Sequence, residues 1–177
     1  NLKIAMLSSC LNDIENAVKI MINASLNNKK ILWCGNGGSA ADAQHMAAEL
    51  MGGLRDHSRQ PIASIALTTD ASFLTAWAND TDYESIFSRQ IEGIGKSGDV
   101  LIAISTSGNS NNVINAVSIA KSMDISVIIL TGENSGKMKK IDSDVIIKIP
   151  SNDTQRVQEC HILVEHILCE SAEEAIL

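Results

Sequence analysis

The spacing of apolar residues changes along this chain, and each change marks an element. Leu7, Leu11, Ile14, Val18 and Met21 recur every three or four positions. That period predicts one long amphipathic helix ending near Asn27 and Asn28. The pattern then switches to short, mostly apolar runs at residues 30–34, 62–67, 100–104, 127–130 and 145–149. Such runs predict buried strands. Helical spacing returns between them. Ser39 is placed to cap a helix that runs to about Met51, before Gly52 and Gly53. Residues 71–78 and 84–94 read as helices separated by Asn79, Asp80, Thr81 and Asp82. Residues 111–121 form another, with Val113, Ile114, Val117 and Ala120 on one side. A short helix is expected between the last two strands, and a long final one from Thr154.

Strands alternating with helices predict an α/β fold with a parallel sheet covered on both faces. Right-handed crossovers make a doubly wound, flavodoxin-like five-stranded sheet the expected order, flanked by long N- and C-terminal helices. No composition break or internal repeat divides residues 1–177, so one domain is expected.

Composition narrows the partners. The net charge of −7 argues against nucleic acid, which needs a basic face. Aromatic residues are 3%, too few for stacking to be the main mode of recognition. No apolar run has membrane-spanning length, and none has the make-up of a signal sequence. Cys10, Cys34, Cys160 and Cys169 lack metal-site or redox-motif spacing. Their apolar neighbours suggest buried, reduced thiols, hence a cytoplasmic protein.

Two loops carry candidate chemistry. Ser105-Thr106-Ser107-Gly108-Asn109-Ser110 follows a predicted strand and opens a helix. Hydroxyls and backbone N–H groups at a helix N-terminus can seat a phosphate. The loop has no lysine, so it is not a nucleotide P-loop, and a small phosphorylated molecule fits better. Cys34-Gly35-Asn36-Gly37-Gly38-Ser39 offers three glycines for close backbone approach. It lacks the third glycine of a dinucleotide fingerprint. Both loops follow strand ends, where ligands of such sheets bind, so they can converge on one ligand. Read singly, the glycine loop is more often only a tight turn, and the hydroxyls of the other loop are equally a set of helix caps.

His45 and Glu49 lie four apart on a predicted helix, with Asp42 on nearly the same side. That is either a solvated polar face or a pair able to hold one metal. The final helix carries Gln158, His161, Glu165 and His166 beside an apolar side of Val157, Cys160, Val164, Ile167 and Leu168. Spacing pairs His161 with Glu165. His166 points away from the apolar stripe, with Gln158 in between. A polar helix face or a subunit contact is the plainer reading. Asn79 and Asp80 are placed to cap the following helix or to touch a ligand.

Taken together, these motifs resemble the sugar isomerase (SIS) domain of phosphoheptose isomerases. Gly35 to Ser39, His45 and Glu49 carry the resemblance first. Ala76-Trp77-Ala78-Asn79-Asp80, Ile104 to Ser110, and Arg156-Val157-Gln158-Glu159-Cys160-His161 through His166 follow in the same order. The resemblance implies an aldose–ketose isomerase that interconverts sedoheptulose 7-phosphate and D-glycero-D-manno-heptose 7-phosphate through an enediol. Its product would feed bacterial surface heptose, in lipopolysaccharide or capsule. It implies a homotetramer with shared sites, and a phosphorylated seven-carbon sugar bound by Asn36, Gly37, Gly38, Ser39, Glu49, Asn79, Asp80, Ser105, Thr106, Ser107, Ser110 and Gln158. Glu49 would be the base and His166 its acid/base partner. Zinc, one per subunit, would be held by His45, Glu49, Gln158 and His166. Gln158 and His166 are eight residues apart, about 12 Å along a helix, so they meet at one ion only by leaning together.

One departure stands out. The family pattern after the glutamate is Leu-x-Gly-Arg and an aromatic residue, whereas this chain reads Leu50-Met51-Gly52-Gly53-Leu54-Arg55. Arg55 is the candidate replacement for the missing arginine. A non-enzymatic tetrameric SIS scaffold that binds the replication initiator shares both loops but lacks counterparts of Glu49 and His166. A sugar-phosphate-sensing regulator would normally adjoin a DNA-binding module, and none is visible. A Schiff-base isomerase would need a lysine beside one of the loops.

Overall fold

The apolar runs do form strands, and their residues divide between two cores. In the computed structural model, which describes residues 1–177, β1 (Ile31–Gly35), β2 (Ser64–Ala66), β3 (Val100–Ser105), β4 (Ser126–Gly132) and β5 (Val145–Ile149) make one parallel sheet in the order β2-β1-β3-β4-β5. Successive strand residues face opposite sides. Ile31, Trp33, Ile102 and Ile104 therefore pack under α2 (Leu11–Leu26), α3 (Gly38–Gly52) and α7 (Thr154–Glu174). Leu32, Cys34, Leu101 and Ala103 pack under α5 (Ile86–Ile94) and α6 (Asn111–Ser122) on the other face. The strand order reverses direction between β1 and β3. Both Gly/Ser loops leave the sheet there, where a crevice opens in folds of this kind.

Several boundaries differ from the sequence expectation. The first helix is two: α1 (Leu2–Ser9) and α2, broken at Cys10. The Cys10 thiol donates to the Lys148 carbonyl at 3.1 Å, tying the break to the far edge of the sheet. The buried stripe of α2 is Ile14, Ala17, Met21 and Ala24, whereas Leu7 and Leu11 stay exposed on the single chain. Asn27 caps α2 as expected. Ser39 is not an N-cap. Gly37, with φ of 58°, holds that position, and Ser39 is a buried first-turn residue of α3. α4 (Ala71–Asp80) absorbs Asn79 and Asp80 into its last turn. Asp82 instead bonds the Ser85 N–H before α5, at 2.6 Å. All four cysteines are buried and free, and burial pushes the Cys34 and Cys169 thiols up. No helix is long and apolar enough to cross a membrane.

Candidate active site

Three helices begin around one cleft of about 320 Å³, at the carboxyl ends of β1 and β3. Its walls are Asn36, Gly37, Gly38 and Ser39 from the first loop and Ser105, Thr106 and Ser110 from the second, with Thr154 and Gln158 from α7. The Ser105 and Ser110 hydroxyls lie 3.1 Å apart. Helix N-termini carry unpaired N–H groups and partial positive charge. Asp153 already caps α7, accepting from Gln155 and Arg156. The caps of α3 and α6, Gly37 and Ser110, make no side-chain bond to their helices. Two helix starts are thus left for an outside anion, and no lysine or arginine lines the cleft. A Cβ on Gly38 would lie 2.5 Å from the Gln158 amide, so glycine here lets α7 close over the loop. Ser107 turns into an adjoining polar cleft with Asn109, Asn134 and Asn152.

A second group of candidate side chains sits further along α3 and α7. Glu49 lies 3.0 Å from His45 Nε2, with the two side chains 25% and 46% exposed. The His166 ring meets the His45 ring edge-on, at 5.2 Å between centroids. His166 Nδ1–H donates to the Ile162 carbonyl at 2.7 Å, which leaves Nε2 free as acceptor or proton carrier. The main chain beneath Glu49 is fixed from below. Arg59 donates to the Glu49 and Leu50 carbonyls at 3.0 and 2.9 Å, and to Glu173 at 2.6 Å. Glu173 also accepts from the N–H groups of Leu54, Arg55 and Asp56. Burial pushes its carboxyl up, but these four donors outweigh that and hold it at about 2.

The chain matches the SIS domain family over residues 4–132. It is 49% identical over 178 residues to the phosphoheptose isomerase of Aromatoleum aromaticum, covering 99% of this chain and 89% of that protein. It is 52% identical over 157 residues to the phosphoheptose isomerase of Aliarcobacter butzleri, covering 89% and 82%.

The chain belongs to the phosphoheptose isomerase family of SIS domains.

It is an isomerase. The phosphoheptose isomerase structure from Neisseria gonorrhoeae superposes with a TM-score of 0.90 at 44% identity, covering 98% of this chain and 91% of that one. That from Francisella tularensis gives 0.94 at 34% identity, with the same coverage. The Vibrio vulnificus NanR protein, at 19% identity and 0.61, shares the fold.

Against the family pattern, Gly53 is the telling position. Its φ is 110°, and a Cβ there would lie 2.6 Å from the Asp56 carbonyl oxygen. The backbone that replaces the family arginine is therefore one an L-residue resists. Arg55 is no substitute, since it reaches across the surface to Glu170. Arg59 is the buried arginine, and it serves the α3 terminus rather than the cleft.

The implied zinc set is divided. His45, Glu49 and His166 are neighbours, while Gln158 lines the cleft between the two loops. No three His, Cys, Asp or Glu side chains close on one point, so these residues as placed in a single chain do not form a zinc site. Asn79 bonds Asp80 at 2.7 Å on the exposed end of α4, and neither lines the cleft.

His161 and Glu165 do not form the expected pair. Both are fully buried, and none of their polar side-chain atoms has a hydrogen-bond partner. Burial, with the Asp42 carboxylate nearby, pushes Glu165 up to about 9, and burial pushes His161 down to about 4. Both are therefore neutral at physiological pH. The raised Glu165 costs stability once an unfolded carboxyl would ionise, so the cost is absent below about 4.5 and grows toward 9. Glu165→Leu is expected to stabilise the protein by about 1–3 kcal/mol near neutral pH. Urea unfolding should show that gain shrinking in acid.

Sequence reasoning missed Arg59, Tyr83, Asn112 and Thr154. Thr154, as first residue of a helix after a strand, carried a usable signal. The others are placed by long-range partners.

Proposed function

We propose that this isomerase interconverts sedoheptulose 7-phosphate and D-glycero-D-manno-heptose 7-phosphate, supplying heptose for bacterial lipopolysaccharide or capsule from the cytoplasm. The observation that carries this is the cleft itself. Uncapped starts of α3 and α6 flank serine and threonine hydroxyls, and the same α3 carries Glu49 at its other end. In this scheme Asn36, Gly37, Gly38, Ser39, Ser105, Thr106 and Ser110 hold the phosphate. Gln158, Ser107, Asn79 and Asp80 are contacts along the sugar, the last two through movement or a neighbouring subunit.

The chemistry requires one proton to move between adjacent carbons. Glu49 removes a C1 proton from the ketose, and His166 protonates the C2 carbonyl oxygen, giving the enediol. His166 then takes the proton from the C1 hydroxyl as the C1 carbonyl forms. Glu49 returns a proton to C2, which yields the aldose. His45 orients the carboxylate from 3.0 Å. A metal on Glu49 would compete with proton transfer for the same carboxylate oxygens, so no step of this scheme runs through zinc.

Incubation with sedoheptulose 7-phosphate should give the aldoheptose phosphate, and phosphate-free sedoheptulose should react at least about 100-fold less efficiently, because remote binding energy is lost. Turnover should survive chelation of zinc. Complete dependence on zinc would contradict a scheme in which Glu49 is the free base. Binding of the sugar phosphate without turnover would instead point to another heptose phosphate.

Ile4, Leu7 and Leu11 are exposed apolar residues on the first two helices, which supports assembly of a homotetramer through the first and last helices. Removal of residues 1–10 should lower oligomer size and activity together. An active, stable monomer would refute the shared site.

A further inference from the structure

Asn36 divides the anion cleft from a smaller cavity walled by Tyr83, Leu74 and Phe87. Its side chain is held by three hydrogen bonds from two residues. Asn36 Nδ2 donates to Asn112 Oδ1 at 2.9 Å, and Asn112 Nδ2 donates back to Asn36 Oδ1 at 2.9 Å. Tyr83 donates its hydroxyl proton to the same Asn36 oxygen at 2.9 Å.

The orientation of this reciprocal pair is set from the backbone outward. Asn112 is buried, and its Oδ1 accepts the Val113 N–H at 2.9 Å. A flipped Asn112 would set two donors against each other, so its amide has one favourable sense. Asn112 in turn fixes Asn36. Both lone pairs of Asn36 Oδ1 are then occupied, by Asn112 and Tyr83. One hydrogen on Asn36 Nδ2 remains. An amide oxygen turned toward a phosphate would repel it, whereas an N–H attracts it.

We propose that Asn112 and Tyr83 are positioning residues that lock the Asn36 amide so that it offers the cleft only a hydrogen-bond donor, which selects for an anionic substrate end. This rests on the reading of the cleft as the phosphate seat. Neither residue need touch substrate for this role. The lock stands in for part of what a lysine or arginine supplies elsewhere, since the cleft has none.

The test is a double-mutant cycle read as KM and kcat for sedoheptulose 7-phosphate. Tyr83→Phe keeps the half-exposed ring and removes the donor. It should raise KM about fivefold, the worth of one hydrogen bond, with kcat within about twofold. Asn112→Ala should raise KM at least as much. In an Asn36→Ala background, adding Tyr83→Phe should change KM by less than about twofold, because its route of action is gone. An unchanged KM in Tyr83→Phe, or an equal rise in the Asn36→Ala background, would overturn the proposal. Asn36→Ala without effect, in an enzyme that Ser110→Ala still weakens, would also overturn it while sparing the cleft. Both variants without effect would show that the phosphate seat itself is misplaced.

Discussion

Glu49→Gln is expected to lower kcat for sedoheptulose 7-phosphate by about 10³-fold while KM stays within a few fold. Glutamine matches the size of the carboxylate and can keep a contact with His45. It cannot accept a proton from C1, so the enediol does not form. Binding should survive for a geometric reason. Glu49 lies eleven residues beyond Gly38, about 16 Å along α3, so the proposed phosphate seat at the helix start is remote from the change. Folding should survive too, because Arg59 grips the Glu49 carbonyl rather than its side chain. A kcat loss under tenfold would remove Glu49 as the base. A parallel collapse of binding would show that the two ends of α3 are not independent.

Glu173→Ala should be the most destabilising of the substitutions considered, by about 3–5 kcal/mol, the usual cost of breaking a buried ion pair. The Arg59 and Glu173 side chains are each 2% exposed, so removal of the carboxylate leaves a buried guanidinium unpaired. It also strips acceptors from three consecutive N–H groups after α3. Activity should fall with stability, since Arg59 fixes the turn that carries Glu49. The Arg55–Glu170 pair on the surface should matter far less. The pH dependence follows from the same geometry. Glu173 ionises at about 2 in the fold against an ordinary 4.5, so its contribution is complete above about 4.5 and disappears as pH falls toward 2. Acid unfolding of Glu173→Gln should therefore lack the part of the wild-type loss in that window.

The sheet was legible in the sequence because its strands are short, mostly apolar runs, and the three central ones are buried on both faces. Five such runs leave few alternatives to a parallel sheet. The break at Cys10 was not legible. Nothing near Cys10 announces its bond to Lys148, far along the chain. Ser39 misled because local chemistry favours serine at a cap, whereas the positive φ at Gly37 moved the helix start back by two residues. The cleft was readable from the hydroxyls and glycines of two loops at strand ends. Its internal lock was not, since Asn36, Tyr83 and Asn112 come from three separate elements. His161 and Glu165 show the limit of spacing. Periodicity placed them on a shared face, but packing turned that face inward and left both neutral.

The most direct measurement is turnover of sedoheptulose 7-phosphate in heavy water, with the product followed by NMR. Proton transfer through an enediol predicts formation of the aldoheptose phosphate, with deuterium at C2 to the extent that the proton on Glu49 exchanges with solvent before it is returned, and loss of product in Glu49→Gln. No conversion, or conversion that Glu49→Gln leaves intact, would contradict an enediol isomerase based on Glu49.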